Sequence, residues 1–335
     1  MSQHPYFTIA IPTYNRAAFL RQAINSALSQ TDSDFELIIS DNASTDDTPA
    51  VVASIKDERL RYVRQPANLG AIKNVNFLVR EARGRFFVLH QDDDLLHPEF
   101  LRRCQQAVGN RSDVSLFAAA VYSGAEPAGI MGENISLRPS PLAPVSHVDG
   151  KITEISGVDV AIMNLFSYPL MPPGLAFCTE ALRKTGALFS EFLWAGDNIT
   201  VARVALCGSV LFDPQVGAFV RFHSSNFSGQ ISLPKALACR REANRIIINY
   251  LDAAAPGWVA RARVCLNYLP RRRRWKYLAE AWKTNYPPVL KQVLAESVVG
   301  KSSVRKLGAH LFAIFLKGKF FCVLSSHFRP IKPSD

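Results

Sequence analysis

The chain has 335 residues, 48% of them apolar, and 39 Lys and Arg against 28 Asp and Glu, for a net charge of +11. That apolar share excludes a disordered polyelectrolyte and suffices for one large domain or two. Six cysteines (Cys104, Cys178, Cys207, Cys239, Cys265, Cys322) are scattered with no Cys-x-x-Cys pair, which argues against a disulfide scaffold and a zinc site and predicts reduced thiols.

The charge is uneven. Residues 236–335 carry 19 Lys and Arg against 5 Asp and Glu, or +14; residues 1–235 carry 20 against 23, or −3. The pattern predicts a catalytic body with a basic appendage that meets an anionic surface. Met1 to Ile11 lacks a basic segment and a long apolar core, so no signal peptide is expected. No run reaches the roughly 20 apolar residues of a membrane span.

Phe7 to Ile11 is a β-rich run stopped by Pro12, a first strand. Beyond Thr13-Tyr14-Asn15, the residues Phe19, Leu20, Ala23, Ile24, Ala27 and Leu28 recur at helical spacing, with Asn15 as candidate N-cap. Phe35 to Ile39 is a second strand, ending in the polar run Ser40 to Thr48; a helix through Val51, Val52 and Ile55 follows. Leu60 to Val63 is a third strand. Asn68-Leu69-Gly70 then turns into a helix with Ile72, Val75 and Val79, which Gly84 closes.

Phe86 to Leu89 is a fourth strand, and it runs through His90-Gln91 into Asp92-Asp93-Asp94, with Pro98 opening the next helix. Three adjacent carboxylates repel one another, and each needs water, a donor or a cation. Hard oxygens at a strand end suit Mg²⁺ or Mn²⁺, which bind one or two carboxylates together with substrate phosphates. Strands alternating with helices at this pitch predict a doubly wound, mostly parallel sheet with helices on both faces. Its polar loops after Ile11, Ile39 and Leu89 then gather along one edge, where ligands bind in such sheets.

Val114 to Tyr122 is another buried strand, and Ser123 to Gly150 a long Gly-, Pro- and Ser-rich loop. Val158 to Phe166 is a helix and Pro169 to Gly174 a turn. Asp197 precedes an apolar-periodic stretch ending near Gly208, where its residue type suits a helix N-cap. Val216 to Phe222 is a strand, followed by His223. From Leu233 the pattern is helical and basic: Arg271 to Arg274 abut Trp275 and Tyr277, and Leu311 to Leu324 is apolar but broken by Lys317 and Lys319, as in a segment lying in a membrane interface.

Ile11-Pro12-Thr13-Tyr14-Asn15-Arg16, Ile39-Ser40-Asp41-Asn42-Ala43-Ser44-Thr45-Asp46, Asn68-Leu69-Gly70 and the Asp triplet, in that order, resemble the family 2 glycosyltransferases of GT-A fold. These are inverting enzymes that use nucleotide-sugar donors. The likeness is dense over residues 5–105 and thinner to about 230. It implies a GT-A-like catalytic domain over 1–232, with nucleotide-sugar binding in 1–110 and the acceptor side in 111–232. A helical, basic, membrane-associating region then occupies 233–335.

By that resemblance, Pro12, Thr13, Tyr14, Asn15, Asp41 and Asn42 hold the base and ribose, joined by Asn68 and Lys73. Asp92 lies near the ribose. Asp93, with Asp94 and His223, is implied to bind Mg²⁺ or Mn²⁺; His223 could instead contact the donor diphosphate. Asp197 stands where the family places its general base, although Gly196 occupies the preceding position, often acidic in the family. Gln91 stands where many members carry the first Asp of the metal motif. The implied partners are a nucleotide-sugar donor, a glycan or lipid-linked acceptor, and an anionic membrane at the cytoplasmic face. No nucleic acid is expected, because no recognised binding module accompanies the charge. A non-catalytic nucleotide-sugar-binding scaffold and a nucleotidyltransferase are the alternatives. The second calls for a Gly-rich phosphate loop after the first strand, and Pro-Thr-Tyr-Asn stands there.

Overall fold

A computed structural model describes residues 4–124, 151–166, 170–186, 196–221, 223 and 232–267. By contacts the chain divides into residues 1–265 and 266–335, and every element below, save the end of the last helix, lies in the first unit. Of the loop expected at 123–150, residues 123 and 124 end a strand and the rest lies outside the described residues; of the basic region expected at 233–335, residues 233–267 are described, and those beyond are not.

The strands are β1 (Phe7–Thr13), β2 (Phe35–Asp41), β3 (Leu60–Arg64), β4 (Phe86–Leu89), β5 (Leu95–Leu96), β6 (Val114–Gly124), β7 (Thr153–Ser156), β8 (Leu175–Cys178) and β9 (Ser209–Arg221). The helices are α1 (Ala17–Leu28), α2 (Thr48–Ala53), α3 (Ala71–Glu81), α4 (Phe100–Val108), α5 (Gly157–Phe166), α6 (Thr179–Lys184), α7 (Gly196–Ala205), α8 (Leu233–Ala254) and α9 (Trp258–Asn267). The strands make one sheet in the order β3-β2-β1-β4-β8-β6-β9-β5, with β7 on β9. β1, β2, β3 and β4 pair in parallel, as β6 does with β9. β8 runs antiparallel between β4 and β6, and β5 and β7 run antiparallel to β9. This is the GT-A-type α/β sheet expected, its parallel half built from residues 7–89.

The alternation in β1 shows why that half is covered on both faces. Phe7, Ile9 and Ile11 join Phe35, Leu37, Ile39, Phe86 and Val88 in one buried cluster, closed by Leu20, Ile24 and Ala27 of α1 and by Phe100, Leu101 and Cys104 of α4. Thr8 and Ala10 point to the other face and are just as buried, and α3 lies there with Leu78 and Val79 turned inward. Each large side chain so buried contributes about 1.5–3 kcal/mol.

Four details depart from the sequence reading. β5, β7 and β8 are two to four residues long, too short to show a period, and they form because neighbouring strands offer edges. The strand expected at 216–222 is the second half of the longer β9, which begins at Ser209 and passes through Pro214. The helix expected from Pro98 starts at Phe100. Gly84 does not terminate α3, which ends at Glu81 with Ala82 as cap and no left-handed residue. Gly84 is required by close approach: a Cβ there would lie 2.4 Å from the backbone of Phe7 and Thr8, whose hydroxyl accepts the Gly84 N–H at 2.8 Å.

Candidate active site

The ends of β1 and β2 lie side by side, with Thr13 in register with Asp41 and the Asn42 N–H donating to Thr13 O at 2.9 Å. Pro12 lies beyond the last β1–β4 register pair, Ala10–Leu89, so its missing N–H breaks no bond on that side. Asn15 is not the N-cap of α1, a position held by Arg16. Asn15 instead adopts φ +53°, donates its N–H to Ser44 Oγ at 2.9 Å and accepts the Thr45 N–H on Oδ1 at 2.7 Å. The α1 terminus is served across the loop by Asp46, whose Oδ2 accepts the Ala17 N–H at 3.1 Å. Asn can take the left-handed turn that such a reversal demands, and a β-branched residue could not without strain.

Asp41 is fully buried, with Oδ1 accepting the Ser44 N–H at 2.8 Å and Oδ2 the Tyr62 hydroxyl at 2.6 Å. Arg64 Nε lies 3.6 Å from the same carboxylate. Burial and this bond push the Tyr62 hydroxyl above its ordinary pKa. Asn42 Nδ2 donates to Asn68 Oδ1 at 2.8 Å, and its Oδ1 accepts the Leu69 N–H at 2.7 Å. Asn68 Oδ1 also accepts the Gly70 N–H at 2.9 Å, so the β2 and β3 exits are laced together. Lys73 is exposed in the first turn of α3, and Tyr14 is 44% exposed above the β1 exit.

The carboxylates follow β4 on the same edge and are almost closed off from water, Asp92 and Asp93 at 9% exposure and Asp94 at 4%. The Thr13 hydroxyl and the Tyr14 amide face Asp92, joining the triplet to the β1 loop. Burial, with the charge of Asp93 second, pushes the Asp92 carboxyl up to about 7. Asp93 Oδ2 lies 3.0 Å from His223 Nε2. Asp94 Oδ1 accepts the Arg221 N–H at 3.0 Å, and burial followed by Asp93 holds its carboxyl well above the usual range. Thr13, Tyr14, Asp92, Asp93, Asp94 and His223 therefore meet at one edge, with Asp41 and Asn42 beside them.

His90 and Ser26 were not picked out from the sequence. The His90 ring is fully buried, with Nε2 3.2 Å from both Ala23 O and Ser26 Oγ. Ser26 Oγ also accepts the Leu96 N–H at 3.2 Å, so α1 braces both ends of the acidic loop. The available signal was a lone His at the end of an apolar run.

Asp197 is the second residue of α7, so the N-cap position lies before it. Burial raises its carboxyl to about 6, which sets it up to take a proton near neutral pH.

The donor set suits a hard divalent cation: Asp93 oxygens with one imidazole nitrogen beside them. Among the described residues no group of three or more His, Cys, Asp or Glu forms a metal cage. Two protein donors are the number expected where substrate phosphates and water complete the shell.

Residues 8–157 match the family model described as glycosyl transferase family 2. They are a family 2 glycosyltransferase domain. The family 2 match takes in β1 to β7 and hence the β1, β2 and β4 exits with the Asp triplet, while His223 lies beyond it. A succinoglycan biosynthesis protein, ExoO, of Rhizobium meliloti is 36% identical over 121 residues, 33% of this chain and 35% of the relative. A GalNAc(5)-diNAcBac-PP-undecaprenol beta-1,3-glucosyltransferase of Campylobacter jejuni is 37% identical over 95 residues, 28% of this chain and 31% of the relative. The matches thus span about a third of the length of these curated relatives. Among solved structures, S. aureus TarS 1–349 in complex with UDP-GlcNAc superposes with a TM-score of 0.57 at 15% identity, covering 91% of each chain. Mannosyltransferase PcManGT of Pyrobaculum calidifontis, in complex with GDP-Man and Mn²⁺, gives 0.51 at 19% identity over 95% of this chain and 88% of the other. At such identities the likeness shows the fold alone.

Proposed function

We propose that this chain moves a glycosyl group from a nucleotide-sugar donor to an acceptor hydroxyl, with inversion at the anomeric carbon. The observation that carries this reading is the meeting of the buried Asp triplet with His223 and the β1 and β2 exits at one sheet edge of a family 2 domain. Thr13, Tyr14, Asn15 and Asn42 form the base and ribose side, with Asn68 and Lys73 at its rim. Asp41 shapes the loop, its Oδ1 and Oδ2 already accepting the Ser44 N–H and the Tyr62 hydroxyl. Asp92 takes the ribose side.

Asp93 and His223 are the residues that would hold Mg²⁺ or Mn²⁺, with Asp94 steadying the β9 end beside them. When bound, the ion supplies Lewis-acid stabilisation of the leaving diphosphate. Mn²⁺ accompanies GDP-Man in the P. calidifontis neighbour. Asp197 accepts the proton of the acceptor hydroxyl. That oxygen then forms the new C–O bond as the bond from the anomeric carbon to the diphosphate oxygen breaks and its electron pair leaves with the nucleotide. Direct displacement of this kind inverts the centre.

The acceptor is a glycan or a lipid-linked intermediate of polysaccharide assembly; the name of the C. jejuni relative includes undecaprenol. No helix among the described residues is long and apolar enough to cross a membrane. The basic tail, including Arg271 to Arg274, is assigned to an anionic membrane surface, where each basic residue contributes about 1 kcal/mol. Vesicle flotation tests this assignment: replacing those four arginines with Gln should release the protein from anionic vesicles at physiological salt. For the activity itself, purified protein is screened against UDP- and GDP-sugars for thermal stabilisation and then for donor turnover. A bound donor stabilises by mass action. No stabilisation and no turnover with any nucleotide sugar would sink the proposal.

A further inference from the structure

Phe19 belongs to the apolar pattern of α1, yet it departs from its neighbours. Leu20, Ala23, Ile24 and Ala27 are fully buried in the core, whereas Phe19 is only partly buried. Its ring stacks on the His223 imidazole, with centroids 4.5 Å apart and planes 21° from parallel. The Arg221 guanidinium carbon lies 5.2 Å from the centroid of the same ring. Both partners come from the end of β9, and both also touch the acidic loop: His223 through Asp93 at 3.0 Å, and Arg221 through its N–H to Asp94 at 3.0 Å.

An imidazole at a strand end has two free torsions, and one hydrogen bond does not fix its plane. A stacked ring does, because sliding off the face sacrifices contact area and tilting sacrifices the favourable quadrupole arrangement. Ligand imidazoles depend on such orienting contacts for their affinity. A Phe serving only the core would not require partners on β9 that themselves touch the triplet.

We propose that Phe19 is a positioning residue for the donor-side metal site, fixing the plane of His223 so that Nε2 is presented beside Asp93. This rests on the glycosyl-transfer reading above. Phe19 touches neither donor nor acceptor in this role; it acts through His223.

The test measures Mn²⁺ affinity by electron paramagnetic resonance, with Mn²⁺ alone and with Mn²⁺ plus UDP or GDP. The proteins are wild type, Phe19→Leu, Phe19→Tyr, His223→Ala and the Phe19→Leu/His223→Ala double variant. Phe19→Leu should weaken Mn²⁺ binding about three- to tenfold, the range an aromatic pair contributes, and Phe19→Tyr should restore it. In the His223→Ala background, Phe19→Leu should change nothing further, since a residue acting through another loses its effect with it. An undiminished loss in that background, or wild-type affinity in Phe19→Leu, overturns the inference while leaving the glycosyl-transfer reading intact. Wild-type protein that binds no Mn²⁺ with either nucleotide overturns the metal-assisted reading and this inference with it. One measurement needs no variant: the Phe19 ring current should shift the His223 ring protons upfield in the NMR spectrum. Unshifted protons would show that the stack does not persist in solution, and the inference would fall.

Discussion

His223 Nε2 and Asp93 Oδ2 stand 3.0 Å apart across 130 residues of sequence, one at the exit of β9 and the other just past β4. The pair joins the first half of the fold, proposed above to receive the donor, to the strand that closes the second half. Strands β8 and β6 lie between β4 and β9 in the sheet, and β5 folds back from the acidic loop to pair with β9 directly. The Leu95–Phe219 register thus brings the two loops together.

Removing either member should strip the site without undoing the fold. Asp93→Ala and His223→Ala are each expected to lower glycosyl transfer at least roughly 100-fold, since the ion they are proposed to hold would stabilise several kcal/mol of developing charge. Melting temperatures should fall by a few degrees at most, because neither side chain packs in the core cluster. Assays across a Mn²⁺ titration check this. Full activity of either variant, or of EDTA-treated enzyme, would exclude metal-assisted departure.

Asp197 predicts a pH profile. With its carboxyl raised to about 6 by burial, the base form grows as pH rises through that value. Turnover should therefore fall about tenfold per unit below pH 6 and reach a plateau above about pH 7. Asp197→Asn cannot accept a proton and should lose at least roughly 100-fold in turnover while still binding donor. If it kept wild-type turnover and lost only stability, Asp197 would be a helix-terminus residue and the base would lie elsewhere.

The sheet half from Phe7 to Leu89 was legible because its signals are local. Each strand is a short apolar run, each helix has a period, and each loop carries polar residues at a strand end. The edge shared by Thr13, Asp41 and Asp92 follows from parallel topology alone. The Asp94–Arg221 contact and the insertion of β8 between β4 and β6 were not legible, since they depend on partners far apart in sequence, Asp94 with Arg221 and Phe86 with Cys178. Asn15 was misread as a cap because Asn favours both N-caps and left-handed turns, and only the position of Asp46 decides between them. Gly84 was misread for a similar reason. Sequence shows that glycine is there, but the β1 backbone against it is set by the sheet.

That close approach makes Gly84→Ala a test of packing remote from the site. The added Cβ would meet the Phe7 and Thr8 backbone at 2.4 Å, and neither can rotate away as a side chain would. It would also strain the Gly84 N–H bond to Thr8 and the Thr179 hydroxyl bond to Gly84 O at 2.7 Å. A loss of about 1–3 kcal/mol in urea unfolding is expected, with donor affinity unchanged at temperatures where the variant is folded. Unaltered stability would mean that the β1–β4 junction is looser than the structure shows.

His90 supplies the last prediction, a pH dependence of stability whose sign can be worked through. Nε2 must carry the ring proton, because Ala23 O, 3.2 Å away, can only accept. Nδ1 is then the site a second proton would take, and it is buried with no hydrogen-bond partner. Burial lowers the His90 pKa to about 4, although the Ala23 bond and the nearby Asp93 charge pull the other way. The unfolded chain holds this ring near 6.5, so between those values it binds more protons than the folded protein does. Stability from His90 is present above about 6.5 and is lost as pH falls toward 4. From pH 7 to pH 5 the loss is about 2 kcal/mol. Asp92, Asp94 and Asp197 have raised values and act in the opposite sense over part of this window, so the wild-type curve alone does not isolate the effect. The difference between wild type and His90→Gln does, because Gln can still donate toward Ala23 O but cannot titrate. Unfolding free energies of the two should converge or cross by about 2 kcal/mol between pH 7 and pH 5, the variant gaining on the wild type as pH falls. Parallel curves over that range would show that the His90 ring titrates alike in both states and that its surroundings admit water.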